Sequence, residues 1–123
     1  MAEKLVKESP EQSAEQLADK KCVPCRGGVP PLKGKSLKDL HKIVPQWSVM
    51  RQHHLRREFK FPDFAQALEF VNRVGALAEE QGHHPDFLLA WCKVEITLWT
   101  HKVDGLTESD FIMAAKIDRI PGA

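Results

Sequence analysis

Apolar residues recur along the chain at two spacings, and each change of spacing marks a new element. Ser36 is placed as an N-cap, and Leu37, Leu40, Ile43 and Val44 follow at helical intervals until Pro45 stops them. Trp47 to Met50 and Leu55 to Phe61 then read as two strands. The second alternates Phe59 and Phe61 with Glu58 and Lys60, and Gln52-His53-His54 suits a hairpin connection between the two. The longest helix opens at Pro62-Asp63 and runs to about Gln81. Phe64, Leu68, Val71, Gly75 and Ala78 form its stripe, widened by Ala67, Val74 and Leu77, and Gly82 is placed to end it. Leu88 to Thr100 reads as one strand, with Cys92, Val94, Ile96 and Leu98 facing the core and Lys93, Glu95, Thr97 and Trp99 facing away. Thr107-Glu108-Ser109-Asp110 resembles a capping box, and Phe111, Ala114, Ala115 and Ile117 supply the apolar side of the last helix.

The order helix, strand, strand, helix, strand, helix predicts an α+β fold, a small antiparallel sheet with helices packed on one face. That domain spans residues 36–123. Residues 1–35 read as an N-terminal arm, partly irregular, that lies across the domain. Glu11 to Lys21 can form a short helix there, whereas Cys22 to Gly34 is too rich in Pro and Gly for regular structure. Trp91 and Trp99 fall among polar residues on the sheet's second face, and the sheet edges are uncovered; both predict self-association.

Composition narrows the function. With 123 residues the chain is one domain's worth. Its 18 Lys+Arg and 17 Asp+Glu leave a net charge of +1, which gives no electrostatic case for nucleic acid or a membrane surface as partner. No apolar run approaches the roughly 20 residues that cross a bilayer. Met1-Ala2-Glu3-Lys4 lacks a secretory core, and three cysteines are an odd number, so the expected compartment is cytoplasmic. Tyrosine is absent. Six histidines are present, four of them as two adjacent pairs.

The strongest local signal for chemistry is Gly82-His83-His84-Pro85, between the end of the long helix and the next strand. Imidazole exchanges protons near neutrality, so His83 and His84 can give or take one at physiological pH. The competing reading is one histidine capping the helix and one exposed. His101 lies just past the long strand, on the face away from the core by parity, where three imidazoles can converge. Glu79, four residues before His83, can sit one turn below it and orient an imidazole, or belong to a solvated face with Glu80 and Gln81. Asp110 stabilises a helix start whatever else it does. Adjacent histidines seldom point at one ion and no His-Glu-x-x-His spacing occurs, so no metal is expected. Cys22-Val23-Pro24-Cys25 is a Cys-x-x-Cys without a second pair, since Cys92 lies in the core-facing strand; incidental or weakly metal-binding cysteines are the reading. His53-His54 look like exposed turn residues and His41 like a boundary residue.

These residues resemble the pterin-4a-carbinolamine dehydratase family. Its pattern of an acidic residue, three positions, His-His-Pro, an aromatic, a downstream His and a downstream Asp is matched by Glu79, His83-His84-Pro85, Trp91, His101 and Asp110. Trp47, the junction Phe59 to Phe64 and the strand Lys93 to Leu98 extend the likeness, which covers roughly Leu37 to Ile120. Two departures stand out: Gly82 replaces the acidic residue that some members carry before the His pair, and the arm is longer than in the shortest members.

The resemblance implies a tetrahydropterin substrate with a hydroxyl at carbon 4a, dehydrated to a quinonoid dihydropterin without cofactor. It implies His83 as general acid, His101 as its partner, His84 and Pro85 against the pterin, Glu79 and Asp110 as supporting carboxylates, and Trp47 stacked on or walling the flat ring. It further implies a homodimer or homotetramer and a functional link to an aromatic amino acid hydroxylase. Two four-stranded sheets would join edge to edge, which requires either a fourth strand hidden by a break around Phe87 to Ala90 or pairing of the long strand across subunits. Some members also act as dimerisation partners of a transcription factor, so a protein-binding module is the alternative to an enzyme. A small metal carrier using Cys22, Cys25 and histidines is a third reading.

Overall fold

The computed structural model describes residues 13–23 and 29–123. Among these, the helices are α1 (Ala14–Asp19), α2 (Gly34–His41), α3 (Phe64–Gln81) and α4 (Glu108–Asp118). The strands are β1 (Ser48–Met50), β2 (His54–Lys60), β3 (Asp86–Ala90) and β4 (Lys93–Leu98). All four pair antiparallel in the order β1-β2-β4-β3. The fold is α+β.

The single long strand expected from Leu88 to Thr100 is two strands. The chain turns at Trp91-Cys92, and β3 folds back on β4 with Leu89 opposite Val94. Alternation hid the turn because the residues on each side of it keep strand character, and Trp91, 70% exposed, reads as one more outward position. The fourth strand is therefore within this chain, and the break lies at Trp91-Cys92, after Phe87 to Ala90.

Val94, Ile96 and Leu98 of β4, with Leu55 and Phe59 of β2, build the buried face of the sheet. Against them lie α3, through Ala67, Phe70, Val74 and Ala78, and α4, which is buried nearly all the way round. Phe64 and Leu68, expected on the inner stripe of α3, are 46% and 40% exposed; the buried row is rotated toward Phe70 and Val74. The far side of α4 is covered by α1, whose Leu17 and Ala18 are fully buried, and by α2.

The first core helix begins three residues earlier than expected. Lys33 is at its N-cap position without a side-chain cap, and Ser36 lies inside the helix. The hairpin between β1 and β2 turns at Arg51-Gln52 rather than at Gln52-His53-His54. Both Arg51 and Gln52 have φ of 54°, and His53 N–H closes the turn on the Met50 carbonyl at 2.8 Å. A primed turn of this kind ordinarily carries Asn or Gly, since the left-handed region costs other residues roughly 1–2 kcal/mol each. His53 thus leaves the turn tip and lies beside β2.

Candidate active site

The long helix α3 ends because Gly82 adopts a left-handed φ of 66°, which a glycine reaches without steric cost. The N–H groups of both Gly82 and His83 donate to the Ala78 carbonyl, at 2.9 and 3.3 Å, so the chain reverses within one residue. That reversal decides the histidine partners. His83 turns toward the start of α4, where its Nε2 lies 2.6 Å from Asp110 Oδ1. His84 folds back on the helix, its Nε2 2.5 Å from Glu79 Oε2. The expected pairing of Glu79 with His83 is thus exchanged for Glu79 with His84. Helical spacing does not continue through a left-handed residue.

Asp110 is fully buried, and its two oxygens divide the work. Oδ2 accepts from the Thr107 N–H at 2.9 Å, as a capping-box residue should, and from the Thr100 hydroxyl at 2.7 Å. Oδ1 is left for His83. Thr100 and Thr107 also share a hydroxyl hydrogen bond of 2.9 Å. In the tautomer that donates Nε2–H to this carboxylate, Nδ1 is the ring's remaining nitrogen. Thr100 was not singled out in the sequence; its place two residues past the strand end carried no signal.

His101 opens a 3-10 turn, His101–Val103, three residues past the end of β4. Its ring stacks on Trp99, with centroids 3.9 Å apart and planes 20° from parallel. Trp99 Nε1 donates to Asp86 at 3.4 Å. His83, His84, Pro85, Trp99 and His101 line a cleft of about 420 Å³, within the range of small-molecule sites. So the structure brings together the three candidate imidazoles, Pro85 and both supporting carboxylates' partners.

Trp47 does not join them. It is 1% exposed, packs edge-on against Phe59, and donates its Nε1 to Asp118 at 2.8 Å. It is a core residue at the opposite end of α4 from Asp110. The indole at the cleft is Trp99, which parity had placed only on the outer face of the sheet.

The cleft also has a wall from the N-terminal segment. Val23 lines it, held by a hydrogen bond from its N–H to Ser109 Oγ at 3.0 Å, and the preceding Cys22 N–H donates to Gln81 Oε1 at 3.0 Å. Burial pushes the Cys22 thiol up to about 11; the charge of Asp110 adds to this and that of Lys116 opposes it. Cys25, the second residue of the Cys-x-x-Cys, lies outside the described residues. Among the described residues no group of three or more His, Cys, Asp or Glu side chains is arranged to hold a metal ion. No helix among them is long and apolar enough to cross a membrane.

Residues 30–120 match the sequence pattern of the family described as "Pterin 4 alpha carbinolamine dehydratase". A Rubrobacter xylanophilus protein named "Putative pterin-4-alpha-carbinolamine dehydratase" is 62% identical over 105 residues, covering 85% of this chain and 98% of that one. A protein of the same name from Alkaliphilus metalliredigens is 55% identical over 104 residues, covering 84% and 94%. Among solved structures, a "transcriptional coactivator/pterin dehydratase" from Brucella melitensis superposes with a TM-score of 0.69 at 32% identity, over 75% of this chain and 99% of that one. A "pterin dehydratase-like protein", described as a RuBisCO assembly factor in the alpha-carboxysome, reaches 0.55 at 29% identity, over 63% and 92%.

Proposed function

The chain belongs to the pterin-4a-carbinolamine dehydratase family, and on that premise we propose that it dehydrates 4a-hydroxytetrahydropterin to quinonoid dihydropterin and water, in support of tetrahydrobiopterin recycling. The observation that carries the proposal is the convergence of His83, His84 and His101 on one cleft, two of them with a carboxylate partner.

The elimination needs two proton transfers. N5 loses its proton, its electron pair becomes the C4a=N5 bond, the C4a–O bond breaks, and the departing hydroxyl takes a proton to leave as water. Imidazole suits both steps, and the balance requires no redox partner. His83 is the proposed general acid: Asp110 holds its Nε2 and fixes the ring, so Nδ1 is the nitrogen that protonates the leaving hydroxyl. His101 is its proposed partner, taking the N5 proton. His84, tied to Glu79 at the rim, orients the pterin with Pro85. Trp99, rather than Trp47, is the proposed wall for the flat ring.

The same reading includes a cytoplasmic homodimer or homotetramer serving an aromatic amino acid hydroxylase. Support for self-association comes from exposed apolar side chains on two surfaces, Leu88 and Trp91 at the edge hairpin and Phe64 and Leu68 on α3. A protein-binding role, of the kind named for the Brucella and carboxysome proteins, would use those same surfaces.

The test is a direct assay with enzymatically generated 4a-hydroxytetrahydropterin. Dehydration faster than the spontaneous rate, lost in His83→Ala, is the expected result. A parent protein that leaves the spontaneous rate unchanged would remove the enzymatic reading and favour the protein-binding one.

A further inference from the structure

Three non-glycine residues among those described have positive φ: Arg51, Gln52 and Asp104. They occupy two turns distant in sequence that meet in space. Arg51-Gln52 deliver His53, and Asp104 follows the 3-10 turn that begins at His101. His53 Nε2 and Asp104 Oδ1 are 2.8 Å apart. Backbone in sparsely populated conformations persists where surrounding contacts over-determine it, and it concentrates at functional sites.

What the two turns hold is a row of rings. His53 packs on Trp99 with centroids 4.6 Å apart, and Trp99 stacks on His101 at 3.9 Å. His54 closes the outer end, its ring 5.3 Å from that of His53 and nearly perpendicular to it. The side chain of His53 is 32% exposed, whereas that of Asp104 is 84% exposed. An ion pair so open adds little stability by itself. Its effect is geometric: Asp104 fixes the far ring nitrogen of His53, and the ring in turn limits how far the Trp99 indole can tilt.

We infer that His53, anchored by Asp104, is a positioning residue that acts through Trp99 to hold the His101 ring at the angle its proton transfer requires. His53 does not line the cleft; it reaches His101 through the indole it packs on and through Asp104, whose N–H donates to the His101 carbonyl at 3.2 Å. The inference rests on the proposed role of His101.

The test compares the parent with His53→Ala, His53→Phe and Asp104→Ala, using turnover of the carbinolamine and the NMR signals of the His101 ring protons. A stacked indole displaces those signals upfield, so they report ring geometry whether or not the protein is a dehydratase. In His53→Ala the displacement is expected to shrink and kcat to fall about three- to tenfold at nearly constant KM, the scale of a modest misplacement of a catalytic group. His53→Phe, which keeps a ring on Trp99, restores most of both, and Asp104→Ala gives an intermediate result. Unchanged His101 signals in His53→Ala overturn the positioning role, as does a His53→Phe variant no better than His53→Ala. A parent without dehydratase activity overturns the function instead, and leaves the NMR comparison to decide the positioning.

Discussion

His83 and Asp110 stand 27 residues apart in sequence and 2.6 Å apart in space, the imidazole partly open to the cleft and the carboxylate sealed from solvent. The remaining oxygen of Asp110 is taken by Thr100 and Thr107. One side chain therefore starts a helix and aims a histidine.

Substitution of Asp110 should separate those two tasks. Asp110→Ala leaves the Thr107 N–H and the Thr100 hydroxyl without their buried acceptor and is expected to cost about 1–3 kcal/mol of stability. Asp110→Asn keeps one acceptor oxygen and should lose less stability, yet turnover is expected to fall about 10- to 100-fold as the hold on His83 changes. Urea unfolding and kcat on the same preparations measure both; a turnover loss that merely follows stability across the two variants would contradict the aiming role.

The two carboxylate–histidine pairs should differ in weight. His83→Ala is expected to lower kcat by about 10²- to 10⁴-fold, the usual worth of a general acid. Glu79 and His84 are largely exposed, so Glu79→Ala should change mainly KM, by less than about tenfold. NMR of the ring protons gives a second check, because Glu79→Ala should move the signals of His84 and leave those of His83 in place.

Asp118, at the far end of α4, accepts from Trp47 Nε1 and pairs with Arg57, whose guanidinium lies 4.3 Å from the centre of the Phe59 ring. Asp118→Ala strands both partners and is expected to destabilise the protein by about 2–4 kcal/mol in chemical denaturation. Burial raises the Asp118 pKa above its ordinary 3.8, against the opposing pull of Trp47 and Arg57. The folded state therefore binds this proton more readily than the unfolded chain. Its contribution to stability falls as pH rises from 3.8 through the raised value and is constant above it. Asp118→Asn should remove that component from the stability-versus-pH curve; an identical curve would show the carboxyl titrates the same in both states.

The Cys22 thiol should be slow to react. With its pKa raised to about 11, almost none of it is thiolate at neutral pH. Alkylation by iodoacetamide, followed by peptide mass mapping, is expected to be slow at neutral pH and to accelerate up to about pH 11. Unfolding should abolish the difference from an ordinary cysteine. Rapid modification of the folded protein at neutral pH would mean that the segment holding Cys22 opens readily.

The capping box, the glycine stop and the His-His-Pro sequence are local features, and local spacing located them. Partner choice was not local. The left-handed turn at Gly82 exchanged which histidine meets Glu79, and nothing in the spacing of Glu79 and His83 indicates a reversal between them. Trp47 and Trp99 were misjudged for a related reason. Both are aromatic residues at a strand end, and only the tertiary arrangement puts one against Asp118 and the other against His101. Val23 and Ser109 were invisible because their contact joins segments 86 residues apart through a main-chain N–H. The turn at Trp91-Cys92 lacks both Gly and Pro, so alternation ran straight through it.

Helix α4 has sheet on one side, α1 and α2 on the other, and almost no face toward water. It also follows every other element in chain order. During synthesis the sheet and α3 therefore emerge with their apolar faces open, and α1 and α2 emerge before α4, the helix they share. The residues from Leu106 onward supply the common centre. Until they leave the ribosome no stable intermediate has a closed core, so the domain should fold only after synthesis has reached its last helix. A nascent chain stalled before that point would be the species most in need of a chaperone.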